Sequence, residues 1–134
     1  MRRRGFTLLE LVLVIIIIGI LATLGFTQYG RMVEKGRTAE AKSILGQIRA
    51  AQEAYKLEYG CYTTNLSLLA ADITPTTACN TSYYYRYTVP SASSTNFQLS
   101  ATRCTSGGKM PDATTAYYVN LTQNGTMGGT PGYY

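Results

Sequence analysis

The hydrophobic pattern changes character twice along the chain. From Phe6 to Phe26 nearly every position is apolar or small, and Glu10 is the sole charge. As a helix rising 1.5 Å per residue, these 21 residues span a hydrocarbon core of about 30 Å. From Tyr29 to Tyr59 the pattern stays helical but becomes amphipathic. Ala41, Ile44, Leu45, Ile48, Ala51, Tyr55 and Tyr59 recur at three- and four-residue spacing and mark one face. Lys42, Arg49, Glu53 and Lys56 fall on other faces, and Arg49 and Glu53 are placed to pair at the surface. Gly60 is a natural stop. One helix from Phe6 to Tyr59 has 54 residues and a length of roughly 81 Å. No single globular domain covers such a helix, so its first half needs lipid or further copies of itself.

Beyond the helix the pattern becomes strand-like. A connector over 60–81, rich in Thr, Asn and Ala and containing Pro75, carries Leu66, Leu68 and Leu69, which can tuck it onto the helix. Strands are predicted at Tyr83–Val89, Asn96–Thr102 and Thr115–Thr122. The run from Pro90 to Thr95 separates the first two, and Gly107-Gly108 to Pro111 separates the next two. Asn124-Gly125 signals a tight turn before a short last strand at Thr126-Met127. The fold class is therefore α+β, a long N-terminal helix packed on a small antiparallel meander. The expected segments are a leader over 1–5, an apolar half-helix over 6–29 and a globular domain over 30–134. Within that domain the sheet occupies 82–128, and the tail is an exposed turn or a subunit contact.

Composition narrows the function. The 134 residues include no His and no Trp, and only 14% are charged. Without His the commonest general base and metal ligand are missing. Seven acidic residues spread along the chain make a dense hard-cation cage unfavourable. The reading is a non-enzyme with no cofactor and no metal. The net charge of +5 is inflated by Arg2, Arg3 and Arg4, without which nine basic residues face seven acidic ones. Nucleic-acid binding is not indicated by charge. Arg31, Lys35, Arg37 and Lys42 are interleaved with Glu34 and Glu40, which points to a solvated face or a subunit contact.

A secretory signal peptide has a shorter apolar region and a small-x-small cleavage site behind it. Here the apolar run is long and flows into the amphipathic helix without a turn. The arginines ahead of it hold the N-terminus in the cytoplasm. A plain anchor has no reason to carry Glu10, because a carboxylate near a bilayer centre costs on the order of 2.5–3.5 kcal/mol.

Gly5-Phe6-Thr7-Leu8-Leu9-Glu10, placed after a short basic leader and before a long apolar helix, resembles the type IV pilins and the type II secretion pseudopilins. The resemblance is strong over Arg2 to about Tyr59 and architectural beyond. It implies cleavage between Gly5 and Phe6 by prepilin peptidase, then N-methylation of Phe6. The anchor would stay in a mature chain of 129 residues. Cleavage creates a cationic amine at Phe6. In a staggered filament Glu10 of one subunit can approach that amine on a neighbour, neutralising both charges in an apolar bundle. Gly19 matches a glycine common in the family, while Thr27 stands where members often have proline. Gly19 and Gly25 each weaken a helix by up to about 1 kcal/mol relative to Ala, in a segment that can unwind within family filaments.

The expected function is structural: a major pilin that polymerises into a helical surface filament serving adhesion, motility or DNA uptake. Implied partners are other pilin subunits, prepilin peptidase, an inner-membrane assembly platform and a cytoplasmic assembly ATPase. Before assembly the subunit sits in the inner membrane. Burial at about 25 cal/mol per Å² over hundreds of Å² drives association, and leaving lipid cancels much of that gain. One alternative is the major pseudopilin of type II secretion, whose acidic calcium loop has little counterpart here, since only Asp112 is acidic after Asp72. The other is a minor pilin acting as a binding module, with Arg86, Arg103, Lys109 and exposed tyrosines as its patch.

Cys61, Cys79 and Cys104 suit one disulfide and one leftover thiol. Cys61–Cys79, which would close the connector, is the favoured pair, with Cys79–Cys104 the alternative; geometry decides between them. Four N-x-S/T triplets, at Asn65, Asn80, Asn120 and Asn124, are compositional in so Thr-rich a chain, and Ser91–Thr95 is an equally plausible O-glycan patch.

Overall fold

Thr7 starts the long helix in the computed structural model, which describes residues 5–69 and 77–133. Arg2, Arg3 and Arg4 of the leader, the middle of the connector with Pro75, and Tyr134 lie outside the described residues. Helix α1 runs from Leu8 to Tyr59, 52 residues without a break. The Thr7 hydroxyl accepts the Glu10 backbone N–H at 3.3 Å, and the Thr7 carbonyl accepts that of Leu11 at 3.2 Å. Thr7-Leu8-Leu9-Glu10 thus has the spacing of a capping box, with the Glu10 carboxylate at the positive end of the helix dipole. Gly60 ends α1 in the left-handed region at φ +78°, its N–H returning to the Lys56 carbonyl at 2.8 Å.

The chain divides into two units, Met1–Glu34 and Lys35–Tyr134. The first is helix alone after Thr7, and every residue from Gly5 to Phe26 is exposed. The second builds a core around the apolar face of α1. Ala41, Ile44, Leu45 and Ile48 are buried there, and Ala51 and Tyr55 pack at its margin. Tyr59 departs from the predicted stripe: as the last residue of the helix it is 59% exposed and stacks on Tyr55 at 4.4 Å. In the connector Leu66 and Leu69 are buried, whereas the expected third anchor, Leu68, stays 55% exposed on the 3-10 turn Leu66–Leu68.

A four-stranded antiparallel meander covers this face, in the order β1 (Tyr85–Ala92), β2 (Phe97–Arg103), β3 (Tyr118–Thr122) and β4 (Met127–Gly129). Alternation sends Tyr85, Tyr87, Val89, Phe97, Leu99, Ala101, Val119 and Leu121 into the core. The strand positions agree with the sequence pattern, with ends shifted by one to three residues, most at the end of β1 and the start of β3. β1 continues past Pro90 to Ala92 because the register slips between Thr88 and Ser91, a bulge that accommodates a residue with no N–H on an edge strand. β3 begins at Tyr118 rather than Thr115, since the preceding loop folds back on Cys104 through the Ala113 N–H at 3.1 Å.

The disulfide is Cys79–Cys104, with Cα atoms 5.9 Å apart, and not the favoured Cys61–Cys79. Cys61 is exposed just past the helix end and is a free thiol. Cys104 is buried at the end of β2, where its N–H reaches the Tyr84 carbonyl at 3.0 Å and holds it beside the segment entering β1. A bridge across 25 residues contributes roughly 3.5 kcal/mol in the chain-entropy account. The expected Arg49–Glu53 pair is also replaced. Arg49 donates to the Gln123 carbonyl at 3.0 Å, and Glu53 accepts the Tyr62 hydroxyl at 3.0 Å. Each long side chain serves a tertiary contact instead of its helical neighbour.

Tyr87 carries a cost at the centre of the core. It is fully buried, and among the described residues its hydroxyl has no hydrogen-bond partner. Burial, with Glu40 adding to it, pushes its pKa far above the ordinary 10.0. The folded chain therefore holds this proton more tightly than the unfolded chain. Stability is intact below pH 10 and falls as pH rises beyond it. Tyr87→Phe should raise stability near neutral pH by about 1 kcal/mol and flatten the alkaline decline. Denaturant unfolding of the detergent-solubilised chain, followed by near-UV circular dichroism, checks both.

Candidate functional site

Two separate sets of residues carry chemistry, one in each unit. In the first, Phe6 is 80% exposed, and Glu10 sits in the first turn of α1. The predicted cleavage junction, Gly5 and Phe6, precedes the helix and is exposed, as a protease substrate requires. Leu8, Leu9, Leu11 and the Ile15–Ile18 run are all about half exposed or more. The helix passes through Gly19 and Gly25 intact, and the Thr23 hydroxyl donates to the Gly19 carbonyl at 2.9 Å. Beside Gly25, where no side chain fills the helix face, Ala22, Phe26 and Tyr29 line an apolar notch of about 320 Å³. This helix is long and apolar enough to cross a membrane.

In the second unit the cations gather on one tyrosine. The Tyr84 ring has Arg37 at 5.1 Å, Arg103 at 5.1 Å and Lys109 at 4.9 Å from its centroid. Glu40 ties this cluster to the helix, accepting the Tyr84 N–H at 3.0 Å and standing 4.0 Å from the Lys109 ammonium. The sequence pattern points to a solvated face or a subunit contact for Arg37 and Glu40. Folding instead brings Glu40 to a residue 44 positions away.

Arg103 does a different job from the other two cations. It is 1% exposed, and its guanidinium donates to the carbonyls of Tyr84 at 3.0 Å, Cys104 at 3.3 Å and Pro111 at 2.7 Å. It thereby positions β1, the disulfide and the following loop together. Gly108 sits so close to Cys104 that a Cβ would fall 2.5 Å from the Cys104 Cβ, and its N–H is held by Asp112 at 3.2 Å. The Lys109 N–H reaches the Tyr83 carbonyl at 2.9 Å, which presents its ammonium over Tyr84. Nothing in sequence spacing marks Tyr84, since its partners come from α1, β2 and a loop. Among the described residues no three His, Cys, Asp or Glu side chains gather as metal ligands.

Comparison with known proteins separates the same two regions. Residues 27–114 match the family described as type IV minor pilin ComP, DNA uptake sequence receptor. Residues 1–26 match the prokaryotic N-terminal methylation motif. The chain is 39% identical over 56 residues to the type IV major fimbrial protein FimA of Dichelobacter nodosus, covering 42% of this chain and 36% of that one. It is 33% identical over 105 residues to the fimbrial protein EcpC of Eikenella corrodens, covering 78% and 65%. It is 40% identical over 83 residues to the type II secretion system core protein G of Escherichia coli K12, covering 59% and 57%. The chain therefore spans less than two thirds of the length of each of these relatives.

Replacing Arg103 tests whether the Tyr84 cluster depends on it. Arg103→Met should destabilise the second unit by about 3 kcal/mol, because charge-assisted bonds to buried carbonyls are lost. Arg103→Lys should recover less than half of that, since an ammonium cannot reproduce the planar fork. The shift in urea midpoint measures both, and a loss under about 1 kcal/mol for Arg103→Met would remove Arg103 from this role.

Proposed function

The chain belongs to the type IV pilin family, and on that footing we propose that it is a membrane-anchored subunit that polymerises through its apolar half-helix into a surface filament. The observation that carries this reading is the uniform exposure of Gly5 to Phe26, an apolar surface that its own chain leaves uncovered. Lipid covers it before assembly and neighbouring subunits cover it afterwards. The N-terminus is cytoplasmic in the precursor. Prepilin peptidase cleaves between Gly5 and Phe6, and the new amine is methylated. An inner-membrane platform and an assembly ATPase extract the subunit. The notch beside Gly25 suits a neighbour's apolar side chain.

Glu10 supplies register. Its carboxylate lies in the first turn of its own helix, at the positive end of the dipole. In the filament it also meets the Phe6 amine of an adjacent subunit. Glu10→Ala should insert in the membrane normally and fold normally, yet yield few or no sheared filaments. Breaking such a buried pair costs on the order of 3–5 kcal/mol. Immunoblots of membrane and sheared fractions, with the variant as sole copy, read this directly. Normal filament yield would leave Glu10 with no assembly role.

A second reading concerns the globular unit: a minor pilin that captures DNA. Arg37 and Lys109, held over Tyr84, favour it, as does the family description over 27–114. The exposed Lys109 ammonium can neutralise a phosphate. Fluorescence anisotropy with a labelled duplex should show affinity falling with salt, and Lys109→Ala should reduce the log–log slope by about one. A slope unchanged by Lys109→Ala would count against DNA at this cluster. Subunit abundance in purified filaments decides between a major and a minor role.

A further inference from the structure

A second concave site lies away from the Tyr84 cluster, where the β1–β2 and β3–β4 turns flank the start of β2. It is a cleft of about 520 Å³, within the range of roughly 300–1,000 Å³ typical of small-molecule sites. Its polar lining residues are all uncharged: Ser91, Thr122 and Thr126 with hydroxyls, and Asn96, Gln98, Gln123 and Asn124 with carboxamides. We propose that this cleft is a binding site for a neutral oligosaccharide.

The lining chemistry selects the ligand class. No cation or carboxylate is among the lining residues, and the Arg49 guanidinium near the β3–β4 turn is already engaged by the Gln123 carbonyl, so the wall itself presents no charged partner to phosphate, carboxylate or ammonium groups. Phe97 contributes an almost wholly buried ring, 3% exposed, so no broad apolar wall is offered to a lipid or a flat aromatic compound. Hydroxyls and carboxamides each donate and accept, which matches the adjacent hydroxyl groups of a pyranose. Threonine and glutamine side chains also carry apolar atoms beside their polar ones, which suits the C–H faces of a sugar.

Both walls are held in place without a ligand. In the β1–β2 turn the Ser93 hydroxyl donates to Asn96 Oδ1 at 3.0 Å and accepts the backbone N–H groups of Thr95 at 3.2 Å and Asn96 at 3.1 Å. In the β3–β4 turn the Gly125 N–H meets the Thr122 carbonyl at 2.9 Å, with Gly125 in the left-handed region at φ +84°. Arg49 grips the Gln123 carbonyl beneath that turn at 3.0 Å. Such fixed walls lower the ordering cost of binding. The polar strip continues outward from the cleft. Gln98 pairs with Thr122, and the next rung on the same face pairs Ser100 with Asn120.

Display of such a cleft on a polymer raises its avidity; that amplification rests on the filament reading, whereas the site itself does not. The test uses the isotope-labelled full chain in a detergent without sugar headgroups, titrated with lactose or N,N′-diacetylchitobiose. Backbone and side-chain amide signals of Gln98, Asn124 and Thr126 should move saturably. Gln98→Ala, at a half-buried position, and Thr126→Val, at the surface, should each weaken binding about tenfold with near-UV circular dichroism unchanged. No movement at these signals up to about 50 mM of either sugar would overturn the proposal. So would movement caused only by a duplex DNA or by sialyllactose. Saturable binding by the detergent-solubilised chain, without avidity in the sheared fraction, would support the cleft and count against the filament reading.

Discussion

An apolar helical surface that its own chain does not cover is the constraint on which everything else depends. A soluble domain hides such a surface in its core. Here the residues from Gly5 to Phe26 face outward on all sides of α1. Water is an unsuitable solvent for that surface, so it must be in lipid or in a bundle of like helices. The energetic difference between those two environments is small, because lipid tails are as apolar as leucine. Specificity must then come from shape and from the few polar groups present. Glu10 is the sole charge in the run, and Gly25 opens a notch in its surface.

The second unit faces the opposite problem. It must hold a thin sheet rigidly on one helix face with few charges and many tyrosines. It does so with long-range ties rather than local pairs. Gln52 is wholly buried and exchanges two hydrogen bonds with the backbone of Thr63, at 2.6 and 3.0 Å. Arg49 reaches the β3–β4 turn, Glu40 reaches β1, and Arg103 ties three carbonyls around the disulfide. Tyr117 links the core to the tail, sharing a 2.7 Å hydroxyl contact with Tyr85 and stacking on Tyr133 at 4.1 Å. Glu40, Arg49 and Gln52 on the helix thus make structural ties to distant parts of the chain.

Periodicity made the helix, the sheet and most of the core legible. Ala41, Ile44, Leu45 and Ile48 could be named from spacing because burial on a helix repeats with the helix itself. The Thr7-to-Glu10 spacing carried a cap signal that the resemblance of the same residues to a processing motif overshadowed. What spacing could not supply was anything fixed by tertiary closure. Cys61 and Cys79 frame a loop in sequence, but Cys79 meets Cys104 because β2 returns there. Tyr84 is one of three consecutive tyrosines, and only folding selects it as the centre of three cations. The neutral cleft unites residues from two turns more than twenty positions apart.

The central claim is that subunits cover one another's apolar half-helices. A cryo-electron-microscopy reconstruction of sheared surface filaments containing this chain tests it most directly. The account predicts density for Phe6 to Phe26 in a central bundle, with Glu10 of each subunit beside the first residue of a neighbour. Half-helices lying on the filament exterior, or absent from the mature subunit, would contradict it.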